Sequence, residues 1–244
     1  LKDAEEALHL AEPDNELLTH YAEALRIKGL NLYRLGQSRR AVQELEHALS
    51  LYMELKETGS VPRVLAETAM VHAAVGEVES AKTLYQEAVR IWQAEKNLHS
   101  QANTLNNLAV LYHQLGEYEL ALEAYENGLE CARTSHNEHT ESLILTGLGD
   151  LYSEIEEFET AAQVYEQAEA IANRLPGFFI SNYLVLARAN LALLHDDSET
   201  ASRILRSFRK QLKTNLSAYE RGLWALLEGR NHLLKHEAKK AISL

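Results

Sequence analysis

The sequence predicts an all-α fold, an α-α superhelix of about six helix-turn-helix repeats that are each 40 residues long. Three observations lead to this prediction. Small and apolar residues recur with a period of 40 along the chain. Apolar residues within each period follow helical spacing. Gly (11) and Pro (3) are scarce among the 244 residues, which disfavours turn-rich β architectures.

An alanine column defines the register of the repeats, at Ala41, Ala81, Ala121, Ala161, Ala201 and Ala241. Twelve residues earlier, every copy has a small residue, at Gly29, Ala69, Ala109, Gly149, Ala189 and Gly229. Five residues earlier, three glycines are followed by three polar residues, at Gly36, Gly76, Gly116, Glu156, Asp196 and His236. Four residues after the alanine stand large apolar or aromatic residues, at Leu45, Tyr85, Tyr125, Tyr165 and Leu205. Chance does not keep so many columns in register.

Each column has a physical reason. Helical spacing restarts after the glycine column, so two amphipathic helices, A and B, meet at a turn there, and glycine suits the left-handed end of helix A. Acidic residues such as Glu77 and Glu117 follow the turn, where they favour the start of helix B. The small residue of helix A allows close approach of the paired helices. Leucine at Gly149 would therefore overpack the pair, at a cost of about 1–3 kcal/mol.

The composition excludes several classes of protein. The net charge of −12 disfavours nucleic-acid binding by the whole surface, because an acidic protein gains nothing from counterion release. The single cysteine, Cys131, excludes an internal disulfide framework and a multi-cysteine zinc site. No apolar run approaches the ~20 residues that span a bilayer, and no signal peptide opens the chain. We therefore expect a cytoplasmic protein with no membrane partner.

These columns resemble the tetratricopeptide repeat (TPR). The third repeat matches best, at Leu105, Leu108, Ala109, Tyr112, Gly116, Tyr118, Ala121, Tyr125 and Gly128. Pro13 fits the terminal proline of the family, although the other copies lack it and run to 40 residues instead of about 34. The resemblance covers essentially the whole chain and implies a TPR solenoid.

The expected domain organisation is a single TPR solenoid over residues 1–244, as a fragment of a larger protein. The chain begins within a helix B and stops soon after Ala241, and neither end has the polar cap that closes a solenoid. The repeats are expected at approximately 1–14 (partial), 15–58, 61–97, 98–137, 138–176, 178–215 and 217–244 (partial).

In TPR proteins, the face of helix A that points away from helix B lines a concave groove for extended peptides or partner helices. Residue by residue, the resemblance implies groove or partner-binding roles for Arg26, Arg63, Asn103, Asn106, Asn107, His113, Asp150, Tyr183, Asn190 and Arg230. The same face also includes Glu23, Leu30, Tyr33, Ala66, Met70, Ala73, Val110, Leu143, Thr146, Ser153, Leu186, Leu193, Leu223, Leu226 and Leu233.

Three asparagines on one helix, Asn103, Asn106 and Asn107, can pair with a peptide backbone through both ends of their amides. A solvated helix face without a partner is the alternative. The lysine- and asparagine-based carboxylate clamp of one TPR subclass is not expected, because Leu30 and Glu67 stand where that clamp has asparagines.

No catalytic or cofactor-binding motif occurs, so the expected protein is not an enzyme and has no cofactor or metal. Gly147 and Gly149 form a lone G-x-G within a helix, and the packing role of Gly149 makes a nucleotide-binding interpretation unnecessary. His232 and His236 could share a metal ion, but three lysines crowd them, so ordinary helix-end histidines are the preferred interpretation. Cys131 is expected to be buried and inert.

Two features near the carboxyl end allow two interpretations each. A basic stripe, typical of a solvated helix face, could instead dock to an acidic domain or nucleic acid; it comprises Arg203, Arg206, Lys210 and Lys213. The last helix A has more leucines than one face needs, so they pack on a following repeat or form an exposed partner site. These leucines are Leu223, Leu226, Leu227, Leu233 and Leu234.

Repeats of this length with a long helix B, and helix pairs such as the one from Leu105 to Tyr118, look like those of MalT-type bacterial transcriptional regulators. There an ATPase precedes the superhelix and a DNA-binding domain follows it. The resemblance implies a non-catalytic protein-interaction or effector-sensing module for signal transduction or transcription regulation. It would bind a protein, a peptide or a small inducer, and self-associate. ATP and DNA contacts would lie in other domains.

Two alternatives remain. One is a free-standing TPR adaptor or scaffold, like the repeats of kinesin light chains. The other is a Rap-type peptide-responsive regulator, which would need an N-terminal helical bundle with a catalytic glutamine.

Overall fold

The computed structural model describes residues 15–57, 59–175, 180–211 and 217–235, and the side chains of Lys210 and Gln211 lie outside the description. Within these ranges the regular elements are α-helices, which confirms the all-α fold. They are α1 (Asn15–Arg34), α2 (Ser38–Glu54), α3 (Val61–Val75), α4 (Val78–Ala94), α5 (Leu98–Gln114), α6 (Tyr118–Thr134), α7 (Glu138–Glu154), α8 (Phe158–Ala172), α9 (Ile180–Leu194), α10 (Ser198–Gln211) and α11 (Ala218–Leu234).

The helices form two compact units, of which the first ends at Leu115 and the second begins at Gly116. In the first unit, α1 pairs with α2 and α3 with α4, and each pair packs on the next helix along the chain. In the second unit, α7 pairs with α8 and α9 with α10, while α11 packs against α9 and α10. The single-domain organisation stays a prediction. The partial repeat at 1–14, with Pro13, lies outside the described residues.

The turn from helix A to helix B has the same left-handed residue in five copies. Gly36, Gly76 and Gly116 have φ of +74°, +86° and +73°, as the glycine column predicts. Glu156 and Asp196 adopt the same conformation, with φ of +65° and +56°, although they have side chains. The turn therefore keeps its geometry in these two copies, which have no glycine at this position. His236, the sixth member of the column, lies outside the described residues.

The end of helix B repeats a second left-handed residue that the sequence columns did not predict. Lys56, Lys96 and His136 have φ between +54° and +57° and stand 40 residues apart. Both turns of the repeat thus have a fixed backbone conformation. The predicted acidic residues also stand at the start of helix B, where Glu77 and Glu117 are the N-cap residues of α4 and α6.

Close packing of helix A on helix B occurs at the predicted small residues. A Cβ atom on Gly149 of α7 would lie 2.4 Å from Cε1 of Tyr165 on α8, and one on Gly29 would lie 2.7 Å from Cγ of Leu45. Gly147 packs in the same way against Tyr125 on α6. Both glycines of the G-x-G sequence therefore have a packing role, which was predicted for Gly149.

We predict that Gly149→Ala destabilises the protein by about 1–3 kcal/mol, because the buried Tyr165 ring must move to admit the new methyl group. Urea denaturation followed by circular dichroism measures the change. The matched control is Gly222→Ala on α11, where a Cβ meets nothing within 4 Å. This control should stabilise by up to about 1 kcal/mol through helix propensity. Equal effects at the two sites would contradict the packing role of Gly149.

Candidate functional site

Four charged side chains and one tyrosine form a cluster on α1, α2 and α3 of the first unit. We call it the Glu23 cluster, and it comprises Glu23, Arg26, Tyr52, Arg63 and Glu67. Arg26 donates two hydrogen bonds to the Glu23 carboxylate, at 2.7 and 2.8 Å, and a third to Glu67 Oε1 at 2.6 Å. Tyr52 donates to Glu23 Oε2 at 2.9 Å, and Arg63 donates to the same oxygen at 3.2 Å. The cluster joins the helices of two successive repeats.

The electrostatics of the Glu23 cluster follow from this geometry. Hydrogen bonds from Arg26 and from Tyr52 lower the pKa of Glu23 from 4.5 to about 2, against the opposing effect of burial. Burial and the bond to Glu23 raise the pKa of Tyr52 to about 12. Burial raises the pKa of Glu67, although Arg26 partly offsets this. Two carboxylates thus compensate two guanidinium groups, so the predicted groove residues Arg26 and Arg63 add no net positive charge to this face.

A hollow with mostly apolar walls lies on α1, α3, α4 and α5, and we call it the first-unit hollow. Its volume is about 350 Å³. It is lined by Tyr33, Met70, Ala73, Ala74, Tyr85, Asn107, Val110, Leu111 and Gln114. Five of these residues were assigned to the groove face from the sequence, so the structure brings them together around one cavity. The volume lies within the range of about 300–1,000 Å³ that is usual for ligand sites.

One of the three asparagines of α5 lines the first-unit hollow. Asn107 lines it, Asn103 is exposed and Asn106 is half-buried on the same helix. His113 is half-buried in the last turn of α5. An apolar cavity next to amide groups offers an anchor for one side chain and hydrogen-bonding partners for a backbone.

The predicted groove residues of the second unit form two separate hydrogen-bonded groups. Asp150 of α7 accepts hydrogen bonds from Tyr165 at 2.6 Å and from Tyr183 at 2.8 Å. Burial and the nearby carboxylate raise the pKa of both phenols. Arg230 of α11 donates to Asn190 Oδ1 of α9 at 3.3 Å. These side chains therefore join neighbouring repeats to one another.

Four positions assigned to the groove face are buried, so that assignment was wrong for them. Thr146 and Ser153 turn their hydroxyl groups back to carbonyl oxygens of α7. Leu186 and Leu193 are 0 % and 1 % exposed and belong to the apolar core formed by α9, α10 and α11. Helical spacing predicted correctly which residues share one side of the helix. It could not predict that neighbouring helices pack against that side and bury these four positions.

The roles of Tyr52, Tyr165 and Glu67 in these groups were not predicted from the sequence. Their partners stand 29, 15 and 41 positions away, so none of these contacts follows the period of 40. The period does give a signal for other contacts, since Glu23 and Arg63 stand 40 apart and bind each other, as do Asn190 and Arg230. Tyr165 was placed only in the column of large residues and Tyr52 was not singled out, yet the hydroxyl group of each reaches a carboxylate of the groove face.

Other residues singled out from the sequence have no shared site. Among the described residues, no group of three or more His, Cys, Asp or Glu side chains is placed to hold a metal ion. His232 lies 3.9 Å from Glu228, and His236 lies outside the described residues. Cys131 is buried, as predicted, and burial raises the pKa of its thiol. No described helix is long and apolar enough to cross a membrane.

The two features near the carboxyl end are only partly described. Arg203 and Arg206 are exposed on α10, whereas the side chain of Lys210 and all of Lys213 lie outside the description. On α11, Leu227 is buried. Leu226, Leu233 and Leu234 are 67 %, 57 % and 39 % exposed, so much of the leucine surface is accessible in the described part of the chain.

We predict that Glu23→Gln destabilises the protein at neutral pH by about 1 kcal/mol, the upper end for a partly exposed ion pair. A carboxyl group whose pKa is lowered by folding stabilises the fold above its unfolded pKa of 4.5, and this contribution is lost as the pH falls towards 2. The difference in unfolding free energy between variant and wild type should therefore shrink between pH 4.5 and 2. The exposed Glu123→Gln is the control, and a difference that does not depend on pH would contradict the pairing.

Comparison with solved structures places the fold among TPR proteins, and no curated protein sequence matches the chain significantly. BtubC (BKLC) from P. vanneervenii has a TM-score of 0.74 at 20 % identity, covering 88 % of this chain and 90 % of that one. The apo form of RapI has a TM-score of 0.79 at 16 % identity, covering 99 % and 68 %. The TPR-like repeats of a Podospora anserina kinesin light chain have a TM-score of 0.67 at 20 % identity, covering 85 % and 100 %.

A family model shows a more specific relationship than these structural likenesses. The model of the MalT-like TPR region matches residues 36–219, which is well over half of the chain. TPR solenoids bind proteins or peptides on their extended surfaces. Because the family model matches well over half of its residues, the chain belongs to the MalT-like TPR family.

Proposed function

We propose that this chain is a non-catalytic effector-sensing and protein-interaction module, the sensor arm of a larger bacterial signal-transduction or transcriptional regulator of the MalT-like kind. The family match supports this proposal. The effector is a small inducer, which binds at the first-unit hollow and at the asparagines of α5; a protein or peptide in the same place would indicate one of the two alternatives.

The observation that carries the proposal is the placement of an apolar cavity next to amide side chains. Met70 and Val110 give the cavity apolar walls, and Asn107 contributes an amide to its lining. The nearby Glu23 cluster compensates its own charges. Recognition here therefore depends on shape and hydrogen bonds more than on charge.

The class of effector distinguishes this proposal from the two alternatives. RapI and the kinesin light chain repeats have the same fold at 20 % identity or less, so the fold alone fits all three functions. A sugar or another small ligand favours the MalT-like sensor. A peptide effector favours a peptide-responsive regulator, and a protein partner without any effector favours an adaptor.

We predict that the double variant Asn106→Ala, Asn107→Ala weakens effector binding at least about fivefold, since each lost hydrogen bond costs about 0.5–1.5 kcal/mol. The probes are a panel of sugars and sugar phosphates and a pool of random dodecapeptides. Thermal shift identifies binders of the wild-type chain, and titration calorimetry gives their affinities.

The control for this variant is Asn127→Ala, which removes an exposed amide from α6. It should leave the affinity unchanged. If the double variant folds and binds every selected sugar and peptide as the wild type does, the site assignment is wrong. If neither probe set binds the wild-type chain but a protein partner does, the adaptor function replaces the sensor.

A further inference from the structure

A second hollow lies among α8, α9 and α10 of the second unit, and we call it the second-unit hollow. Its volume is about 290 Å³. Ala162, Leu191 and Ile204 give it an apolar lining, one residue from each of the three helices. It contains none of the predicted groove residues.

The second-unit hollow is on the other side of α9 from the predicted groove residues. Arg188, Leu191 and His195 of α9 line it. Tyr183 and Asn190 lie on the opposite side of the same helix, since an α-helix has about 3.6 residues per turn. A molecule bound in this hollow therefore does not use the groove face of α9.

The register of the repeats explains why space is open at this place. Ala162 stands where the preceding repeat has Leu122, and it is smaller by an isopropyl group. Arg188 stands where the preceding repeat has Leu148, which is only 4 % exposed. The Arg188 side chain turns to Glu169, with 2.5 Å between Nη1 and Oε2. Two leucines of the preceding repeat thus have no counterpart here.

The rim of the second-unit hollow is acidic. Exposed carboxylates stand on it at Glu159, Glu166 and Asp197. Arg188 is the one lysine or arginine among the described lining residues, and Glu169 compensates its charge.

Arg203 stands next to this rim. Hydrogen bonding from Thr200 lowers the pKa of Asp197, and the positive charge of Arg203 adds a smaller effect in the same direction. The imidazole of His195 packs edge-on against Phe158, with 5.5 Å between the ring centroids. Carboxylates therefore outnumber cations around an apolar cavity.

We propose that the second-unit hollow is a docking site for a partner polypeptide, which inserts one large apolar side chain flanked by lysines or arginines. The volume of about 290 Å³ admits a large apolar side chain, and the apolar lining would cover that side chain. The acidic rim is complementary to basic residues on either side of that side chain. This site is independent of the proposed function, because it lies in the other unit and shares no residue with the first-unit hollow.

The probes are four pools of synthetic nonapeptides with leucine or serine at the centre and lysine or glutamate at the four flanking positions. The remaining positions are randomised among alanine, glycine and threonine. Retention on the immobilised full chain is measured at physiological salt. The leucine and lysine pool should be retained at least about tenfold better than the serine and lysine pool, because an apolar side chain is buried. Both glutamate pools should be retained least.

Ala162→Leu fills the hollow with the residue that the preceding repeat already has, and it changes no charge. It should abolish the preference for leucine over serine while leaving the general attraction of lysine peptides. Glu166→Gln should weaken retention of the leucine and lysine pool about threefold, the scale of one rim charge. Its control is Glu126→Gln, the same exposed position one repeat earlier, which should have no effect.

Each outcome bears on the docking site. Equal retention of the leucine and serine pools by the wild type would overturn it, because binding would then be electrostatic attraction to an acidic protein. So would an unchanged leucine preference in a folded Ala162→Leu chain, or equal effects of Glu166→Gln and Glu126→Gln. If Ala162→Leu does not fold, the comparison of the two glutamate variants decides. Loss of effector binding in the Asn106 and Asn107 variant has no bearing on this result.

Discussion

The fold depends on the close contact between the small residue of helix A and the large residue of helix B, as between Gly29 and Leu45 and between Gly149 and Tyr165. At Gly149 the contact leaves no room for a Cβ atom, because the Tyr165 ring lies 2.4 Å from where that atom would be. The hydroxyl group of the same tyrosine donates a hydrogen bond to Asp150, the residue that follows Gly149. One residue therefore fixes the distance between the paired helices and also holds a polar side chain on the groove face.

The period of 40 determines which side chains meet. Glu23 binds Arg63, and Asn190 binds Arg230, because positions 40 apart face each other on successive repeats. The same register allows function to vary without loss of the fold, since a repeat keeps its turns and its small residue while its outward positions change. Amides stand beside an apolar hollow in the first unit, and Ala162 and Arg188 leave another hollow open in the second unit. Two surfaces of different chemistry thus belong to one scaffold.

Most of the fold was predictable from the sequence, and less of the candidate site was. The helix pairs, the left-handed glycines and the tight packing at Gly149 follow from spacing and side-chain size, which are local properties. Burial of Thr146 and Leu186 was not predictable, because it depends on which neighbouring helix covers that side of helix A. The left-handed conformation of Glu156 and Lys56 was missed because neither residue type favours it, and the repeat imposes it. The hollow beside Ala162 can be inferred from the sequence only by comparing side-chain size at equivalent positions of successive repeats, as at Ala162 and Leu122.

Each helix is stabilised only by the helices next to it, since α11 packs against α9 and α10 alone among the described helices. The most direct test is hydrogen exchange, resolved by segment, on the full chain and on a chain that ends at residue 216 and so lacks α11. Faster exchange is expected in α9 and α10 of the shortened chain, with α1 to α4 unchanged. Uniform loss of protection in all helices would contradict it, because the chain would then unfold as one cooperative block.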